Sequence, residues 1–556
     1  MTNLQLPDTT ANGRARAAAL DPRNRPDVVP ASTVEFLSHG RVLIVGEESG
    51  ALYAAQKLDG DLVATVCAPG DSRPASGKVG DVIVVRGGRP QLSGSLGDFR
   101  VSFQAAGEDG DPDAAVPLEE ARFDLVLDLG ESPLLKREVL PPGYFAPGRD
   151  AYALEDAIAA LPDMRGEFEK PKYFNFDPTI CAHGRRGIVG CTRCLDVCPT
   201  EAIVAAGDTV RIDPNLCQGF GSCAAVCPTG AVTYAFPGNT DLLAYLRQVV
   251  ANYREQGGSD PVLVFYDSAS ADALGGALAA AVPENALPLE LEEVGSVGID
   301  TWLTCFAYGV RRVLMLAGPG TPGSVVAALE REIDVTGKIL EGMGYAGGAV
   351  VLLDDTDSDA VAEAVASDRA IDLARTASFT PPPEKRQLLR MAISHLVAEA
   401  PAHRKAVSLP QNAQFGRIRV DKSACTMCMS CVAVCPTGAL RGGQGLPQLN
   451  FSEWSCIQCG LCATACPEDA IRLEARFLYD DKERSEWRLL HEEQPMCCIS
   501  CGKPFATRST LDAMMRKLEG HWMFQSEAQR RRLEMCDTCR VKDMMRAEGG
   551  DGSGPA

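Results

Sequence analysis

Two runs of cysteine in the C-terminal third of this 556-residue chain constrain its fold more than any other feature. Both runs have the spacing C-x2-C-x2-C-x3-C-P. Their cysteines are Cys425, Cys428, Cys431 and Cys435, then Cys456, Cys459, Cys462 and Cys466. A loop this short can wrap three corners of an iron–sulfur cube, so the fourth thiolate must come from outside it. A pair of zinc knuckles would not explain the proline after each fourth cysteine.

This pattern resembles that of the bacterial two-cluster ferredoxins, in which the fourth cysteine of each motif ligates the other cluster. The resemblance implies a βαβ-type fold with pseudo-twofold symmetry and two neighbouring 4Fe–4S clusters. Site 3 is predicted to consist of Cys425, Cys428, Cys431 and Cys466. Site 4 is predicted to consist of Cys435, Cys456, Cys459 and Cys462.

A first block near residues 170–235 departs from the same pattern twice. Ile188 stands where the first cysteine belongs, and Cys181 replaces it across a longer loop. Phe220 stands where the partner motif needs its second cysteine. The same crossover predicts a complete 4Fe–4S site 1 from Cys181, Cys191, Cys194 and Cys227. Site 2 is left with three thiolates, from Cys198, Cys217 and Cys223.

Three alternatives stay open for site 2. Three thiolates fit a 3Fe–4S cluster that lacks the corner opposite Phe220, as in the seven-iron ferredoxins that this block resembles. They also fit a 4Fe–4S cluster with a non-protein ligand or a substitute such as His183. The third alternative is an empty or degraded site.

Two CxxC pairs follow in a charged, Met-rich and helical C-terminal segment: Cys498 and Cys501, then Cys536 and Cys539. Four thiolates in two pairs make a tetrahedral site, which suits a structural Zn²⁺ ion. A further iron site and unliganded thiols are the alternatives. Cys497, beside the first pair, is a competitor for the metal.

The predicted fold class is α/β plus α+β and multidomain, with two Rossmann-like or flavodoxin-like domains alternating with two ferredoxin-like modules. Strand-like runs such as Val42–Val45 and Val262–Phe265 alternate with helical stretches and predict the two α/β domains. The predicted boundaries are a flexible tail at 1–35, an α/β domain at 36–165, the first module at 166–240, a second α/β domain at 241–380, a linker and helix at 381–413, the second module at 414–480 and the cysteine-knuckle segment at 481–556.

The α/β domains offer weak signs of cofactors. Val42–Val45 followed by Gly46 starts like a dinucleotide-binding turn, but Glu48 occupies the glycine position that must approach the pyrophosphate. The sequence therefore argues against flavin or NAD. Residues 260–355 resemble the delta subunit of methyl-viologen-reducing hydrogenases. The cluster cysteines of that family are replaced here by Glu292 or Glu293 and by Ala317-Gly318-Pro319.

The order of these parts resembles the large 4Fe–4S-binding proteins that accompany formate dehydrogenases in proteobacteria. The resemblance implies an electron relay between a dehydrogenase and another redox carrier. A flavin- or NAD-linked oxidoreductase subunit and an assembly factor with structural clusters are the alternatives. The chain has no evident acid, base or nucleophile constellation, so a carrier or a subunit is favoured over an independent enzyme.

Composition narrows the partners and the compartment. The net charge of −20 disfavours nucleic acid and anionic membrane surfaces, which require a basic face. No apolar run reaches the length of a membrane span, and the N-terminus has no apolar segment of the signal-peptide type. Clustered cysteines indicate metal ligation rather than disulfides. The sequence therefore predicts a cytoplasmic protein with redox-protein partners.

Overall fold

The computed structural model describes residues 6, 8–24, 30, 32–58, 60, 62–104, 121–267, 283–353 and 358–549. The N-terminal helix α1 (Ala11–Ala19) corrects part of the predicted flexible tail. Ala15 and Ala19 are fully buried against a later helix, and Arg16 donates to the carbonyls of Pro283 and Ala286. The alanine-rich face of α1 explains this docking, because small side chains allow close helix packing. Residues 1–5, 7, 25–29 and 31 of the tail lie outside the described residues.

The first α/β domain contains an eight-stranded mixed sheet and a separate antiparallel pair of strands. Its elements are β1 (Thr33–Ser38), β2 (Arg41–Val45), α2 (Glu48–Lys57), β3 (Val63–Ala68), β4 (Gly70–Val79), β5 (Val82–Ser93), β6 (Phe99–Gln104), β7 (Ala121–Phe123), β8 (Leu125–Asp128), β9 (Tyr144–Phe145), α3 (Ala151–Ala160) and β10 (Gly166–Pro171). Strands β5, β3, β2, β8 and β9 run parallel, whereas β4, β6 and β7 add antiparallel pairs. The separate pair is β1 with β10. Along the chain, β3 is connected to its parallel neighbour β5 by the antiparallel strand β4 and not by a helix. This connection differs from the Rossmann-like connection that the sequence predicts.

The first cysteine-rich block has a double antiparallel core. Its elements are β11 (Phe174–Phe176), β12 (Gly184–Arg185), β13 (Ile188–Val189), α4 (Arg193–Asp196), β14 (Ile203–Ala206), β15 (Thr209–Ile212), α5 (Ser222–Ala225) and β16 (Val232–Tyr234). The first strand pairs with the last, β11 with β16, and the middle strands β14 and β15 form a hairpin. The longer cysteine loop folds into the small hairpin β12–β13.

The second α/β domain is a parallel sheet in the order β18-β17-β19-β20. Its elements are α6 (Asn239–Glu255), β17 (Val262–Asp267), β18 (Ala286–Leu291), α7 (Ile299–Ala307), β19 (Arg312–Leu316), α8 (Gly323–Gly342), β20 (Val350–Leu353), α9 (Ser358–Ala366) and α10 (Lys385–Ala398). Helices cover both faces of the sheet. Helix α10 lies within the predicted linker-and-helix segment at 381–413, and it packs into the core of this domain.

The second cysteine-rich block repeats the plan of the first. Its elements are β21 (Ala406–Ser408), β22 (Gly416–Val420), α11 (Ser430–Val434), β23 (Leu440–Gly442), β24 (Gln448–Phe451), α12 (Leu461–Thr464), β25 (Ile471–Leu478), α13 (Asp481–Ser485) and β26 (Arg488–Glu492). Strand β22 pairs with β25, and β23 pairs with β24. Strand β26 extends the second pair, so this module continues beyond the predicted boundary at residue 480.

The C-terminal segment is a hairpin followed by three helices. They are β27 (Pro495–Cys497), β28 (Pro504–Thr507), α14 (Arg508–Leu518), α15 (Glu527–Arg531) and α16 (Asp537–Gly549). The second module also shares its core with the second α/β domain, since Phe477 and Tyr479 are buried there and the Tyr479 hydroxyl donates to Ile339 O at 2.7 Å. No helix in the described ranges is long and apolar enough to cross a membrane.

Candidate iron–sulfur and metal sites

The second module brings eight cysteines together as two sets of four. One cavity is lined by Cys425, Cys428, Cys431 and Cys466, the members of site 3. A second cavity is lined by Cys435, Cys456, Cys459 and Cys462, the members of site 4. Each set takes three sulfurs from one loop and the fourth from the other motif. This is the arrangement that the crossover predicts, and it follows because β22 and β25 pair the two halves of the module about a pseudo-twofold axis.

Site 1 forms a third cavity in the first module. It is lined by Cys181, Cys191, Cys194 and Cys227. The hairpin β12–β13 closes the longer loop, and the Cys191 amide donates to Ala182 O at 3.0 Å. This contact returns the chain from Cys181 to Cys191. The hairpin therefore brings the first and second cysteines of this site together, as a two-residue spacer does in the second module.

His183 belongs to site 1 and not to site 2. Its ring lines the site 1 cavity, and Nδ1 lies 3.0 Å from Cys191 O. The hypothesis of His183 as a substitute ligand at the three-thiolate site is therefore wrong on position. The hairpin carries His183 toward the thiolates of its own loop, which spacing along the chain cannot reveal.

Site 2 lies against the second α/β domain. Cys223 is within electrostatic range of Cys217 and Cys198, and burial raises the pKa of its thiol well above the ordinary value. The Phe220 side chain, which replaces the missing cysteine, packs on the core of that domain. A Cβ added at Gly295 would lie 2.3 Å from Phe220 O. Phe220, at the place of a cysteine, therefore anchors the cysteine loop of site 2 to the second α/β domain.

The buried cysteines need a nearby cation to be held as thiolates. Burial is the largest cause that raises the pKa of Cys456 to about 11 and those of Cys459 and Cys431 to about 12. Thiolates are the form that binds metal, and a buried group of them is stable only when positive charge neutralises it. Iron supplies that charge. The donor sets of sites 1, 3 and 4 thus fit 4Fe–4S clusters, which are held by sets of four cysteine thiolates.

Hydroxyl groups approach the fourth cysteine of three motifs. The Thr200 hydroxyl lies 3.4 Å from Cys198 Sγ, and equivalent threonines follow Cys227 and Cys435. The fourth motif has Glu468 at that place, and Cys466 Sγ accepts from the Ala470 amide at 3.3 Å instead. The sequence interpretation missed these threonines, although the repeated Cys-Pro-Thr tripeptide is a visible signal.

Replacing Thr200 with valine is expected to lower the reduction potential at site 2. Hydrogen bonds to cluster sulfurs stabilise the reduced state, which carries more negative charge. A net hydrogen-bond contribution of about 0.5–1.5 kcal/mol corresponds to about 20–60 mV for one electron. Redox titration followed by EPR measures it. Thr437→Val provides the graded control, because its hydroxyl lies further from the sulfur, at 3.8 Å. A larger shift in the control than in Thr200→Val would contradict the explanation.

The C-terminal CxxC pairs also come together. The sulfurs of Cys498, Cys501, Cys536 and Cys539 all lie within 4.8 Å of one another. Cys501 Sγ and Cys536 Sγ are 3.8 Å apart. A Zn–S bond of about 2.3 Å gives a tetrahedral edge of about 3.8 Å, so this set fits a single tetrahedral ion. Cys497 is exposed and does not belong to the set, so the predicted competition is not supported by its position.

This segment is fastened to site 3. The hydroxyls of Thr507 and Thr510 both donate to Thr426 O, within the cysteine loop. Lys517 Nζ lies 2.9 Å from a carboxylate oxygen of Glu468, whose side chain lines the same cavity. Helix α14 therefore runs across the rim of site 3, and the segment that carries the C-terminal cysteines is held against that site.

The dinucleotide-like turn has an acidic lining. The Glu47 side chain accepts from Ser49 N at the start of α2, where a phosphate would otherwise bind. Glu48 forms an ion pair with Arg86 at 2.6 Å. The carboxylates of Glu47 and Glu48 thus occupy the N-terminus of α2, where the phosphates of a dinucleotide would bind.

The carboxyl edge of the second sheet carries acids where the delta-subunit resemblance would place cysteines. Burial, followed by the charges of Asp267 and Glu292, raises the pKa of Glu293 to about 8. Cys305 is buried within α7, away from that edge. The described residues at this edge therefore offer no thiolate set for an additional cluster.

Comparison with known proteins agrees with the cysteine geometry. Residues 417–467 and 163–231 each match a 4Fe–4S dicluster domain family. These matches, with the thiolate sets, define the class: an iron–sulfur protein with two 4Fe–4S dicluster domains.

Two curated proteins are similar over short stretches. Hydrogenase-4 component A of Escherichia coli (strain K12) is 38% identical over 56 residues, which cover 10% of this chain and 25% of that protein. Ferredoxin 7Fe of Hydrogenibacillus schlegelii is 44% identical over 39 residues, which cover 7% of this chain and 50% of that protein. The chain thus spans no more than half the length of either of these relatives.

Proposed function

We propose that the chain is a polyferredoxin, which relays single electrons between a dehydrogenase and a second redox carrier through four clusters in series. Formate dehydrogenase is the proposed donor, from the order of the domains along the chain. For site 2 we propose a 3Fe–4S cluster, which its three thiols favour. The similarity to a protein named Ferredoxin 7Fe supports that choice. Zinc is the proposed ion of the C-terminal set.

The contact between the two modules carries the proposal. Helix α12 of the second module contacts β13 of the first. The Leu461 side chain packs so close to Gly190 that a Cβ there would lie 2.5 Å from Leu461 Cγ. Across this contact, the charge of Cys191 acts on the Cys459 thiol. Sites 4 and 1 therefore face each other, and the series runs from site 3 through sites 4 and 1 to site 2.

The two ends of the series differ in exposure. Cys428 of site 3 is exposed, so the site 3 end is the one open to a carrier protein. Site 2 packs against the second α/β domain through Phe220 and Gly295. A relay needs an accessible end, and site 3 supplies it.

Replacing Gly190 with valine is expected to slow electron transfer between the modules several-fold while all clusters remain. The added side chain meets Leu461 and forces the two modules apart. Stopped-flow absorbance after chemical reduction measures the rate. In the double variant Gly190→Val/Leu461→Ala, the space is restored and the rate should recover. An unchanged rate in the single variant would show that this contact is not the path.

A reconstitution experiment tests the relay itself. The anaerobically purified, iron-loaded chain is mixed with formate dehydrogenase and formate, and EPR follows the reduction of its clusters. Rapid and reversible reduction supports the proposal, and clusters that do not cycle would favour an assembly factor. A parallel arm uses a hydrogenase and H2, because of the similarity to Hydrogenase-4 component A. A yellow chromophore reducible by NADH would instead indicate a flavin-linked subunit.

A further inference from the structure

Two consecutive basic residues begin α10 and contact different modules. Lys385 Nζ donates to Ala224 O at 2.9 Å and to Ala225 O at 2.6 Å, between the cysteines of the first module. Arg386 Nη2 donates to Trp454 O, two residues before Cys456 of site 4. Adjacent residues of a helix point about 100° apart, which allows one helix start to serve both sides. The N-terminus of α10 therefore bridges the two modules.

The two cations differ in charge compensation. Lys385 has the Asp300 carboxylate at 3.4 Å. Within the described ranges, Arg386 has no carboxylate at ion-pair distance, and its Nη1 is buried without a hydrogen-bond partner. The charge of Lys385 is thus largely balanced, whereas that of Arg386 is not.

Aromatic rings hold the Arg386 guanidinium in place. Its Cζ lies 5.2 Å from the Phe415 ring centroid and 4.9 Å from that of Trp454. The opposing charge that acts most strongly on it is that of Cys456. Arg484 also stacks on Trp454, but it is paired with Asp481 at 2.8 Å. The charge of Arg193 also acts on Arg386, but the Arg193 side chain lines the site 1 cavity. Among the described residues, Arg386 is therefore the unpaired cation on the Trp454 side of site 4.

We propose that Arg386 is a positioning and tuning residue for site 4, whose fixed charge raises the reduction potential of the cluster there. The proposal rests on the relay function proposed above. Reduction adds one electron to the cluster, and a nearby cation stabilises the more negative product most. The electron in the second module is thereby favoured at site 4, on the side that faces the first module.

Arg386→Gln in the full iron-loaded chain tests this proposal. The ratio of reduced to oxidised cluster at site 4, at a fixed potential, is expected to fall about tenfold, which corresponds to about 59 mV for one electron. EPR-monitored titration with chemical mediators measures it. Arg390→Gln is the matched control, since Arg390 lies on the same helix, is exposed and pairs with Asp481. Its titration should match that of the wild type.

Arg386→Lys separates charge from packing. This variant keeps the cation, so its site 4 potential should stay close to the wild-type value even if the glutamine variant loses that cluster. The proposal is overturned if no cluster shifts in Arg386→Gln, or if Arg386→Lys shifts as far as a neutral residue does. Mediators set the potentials without any protein partner. The titration therefore tests the role of Arg386 even if the relay with a dehydrogenase fails in the reconstitution experiment.

Discussion

Cys456→Ala is expected to disrupt the cluster of site 4 and to slow electron transfer between the modules. Cys456 lies at site 4, which faces site 1 across the contact between Leu461 and Gly190. A cubane that loses one of its four thiolates is destabilised: about one iron per chain is lost if the remaining three thiolates keep a 3Fe–4S cluster, and about four are lost if the cluster is released. Iron quantification and stopped-flow reduction of the first module through the second measure the two effects.

The control for this variant is Cys497→Ala. Cys497 is exposed and belongs to none of the thiolate sets. Its iron content and transfer rate should match those of the wild type. If the first module is still reduced at the wild-type rate in Cys456→Ala, electrons do not pass through site 4 and the proposed series is wrong.

Cys536→Ala is expected to release the C-terminal metal ion and to unfold the segment from β27 onward. The buried cluster at this centre is small, with Cys498, Met535 and Cys536. Leu511, Ala513 and Leu533 are the other buried apolar residues that the structure describes in this segment, and together this is too little apolar surface for the segment to fold alone. Structural zinc sites contribute about 10–16 kcal/mol of apparent binding free energy, which here is folding free energy. Zinc quantification and limited proteolysis measure the result.

The loss should extend to site 3. Once α14 detaches, Thr507 and Thr510 no longer hold Thr426, and the site 3 loop becomes more exposed to solvent than it already is at Cys428. We therefore expect faster bleaching of one cluster in air, while sites 1 and 2 keep their wild-type rates. Cys497→Ala again serves as the control. A protease-resistant segment without zinc would contradict a structural role for the metal.

The cysteine chemistry could be predicted from the sequence because it is local. Three ligands of each complete site in the second module lie within seven consecutive residues, and the Cys-Pro tail marks the fourth. The irregular motifs were harder to interpret. Cys181 could be assigned by the crossover, but the hairpin β12–β13 that brings it to Cys191 depends on contacts that spacing does not encode.

Errors arose where tertiary packing overrides local pattern. The N-terminal residues look polar and flexible, yet α1 buries Ala15 and Ala19 against α6. The segment at 381–413 is predicted as a linker and a helix outside both neighbouring domains, yet its helix α10 lies in a shared core. The sequence leaves His183 open as one alternative ligand for site 2, whereas the fold places its side chain at the site 1 cavity.

The number of thiolate sets and the membership of each can be predicted from the order of residues, because cluster ligation demands fixed residue types at fixed short spacings. How the sets follow one another in space cannot be predicted in this way. That order depends on Gly190 lying against Leu461, and on Lys385 and Arg386 reaching opposite modules from one helix. Such contacts join residues far apart in the chain. Which two clusters meet is therefore a property of the folded molecule, in which packing between the modules brings sites 4 and 1 together.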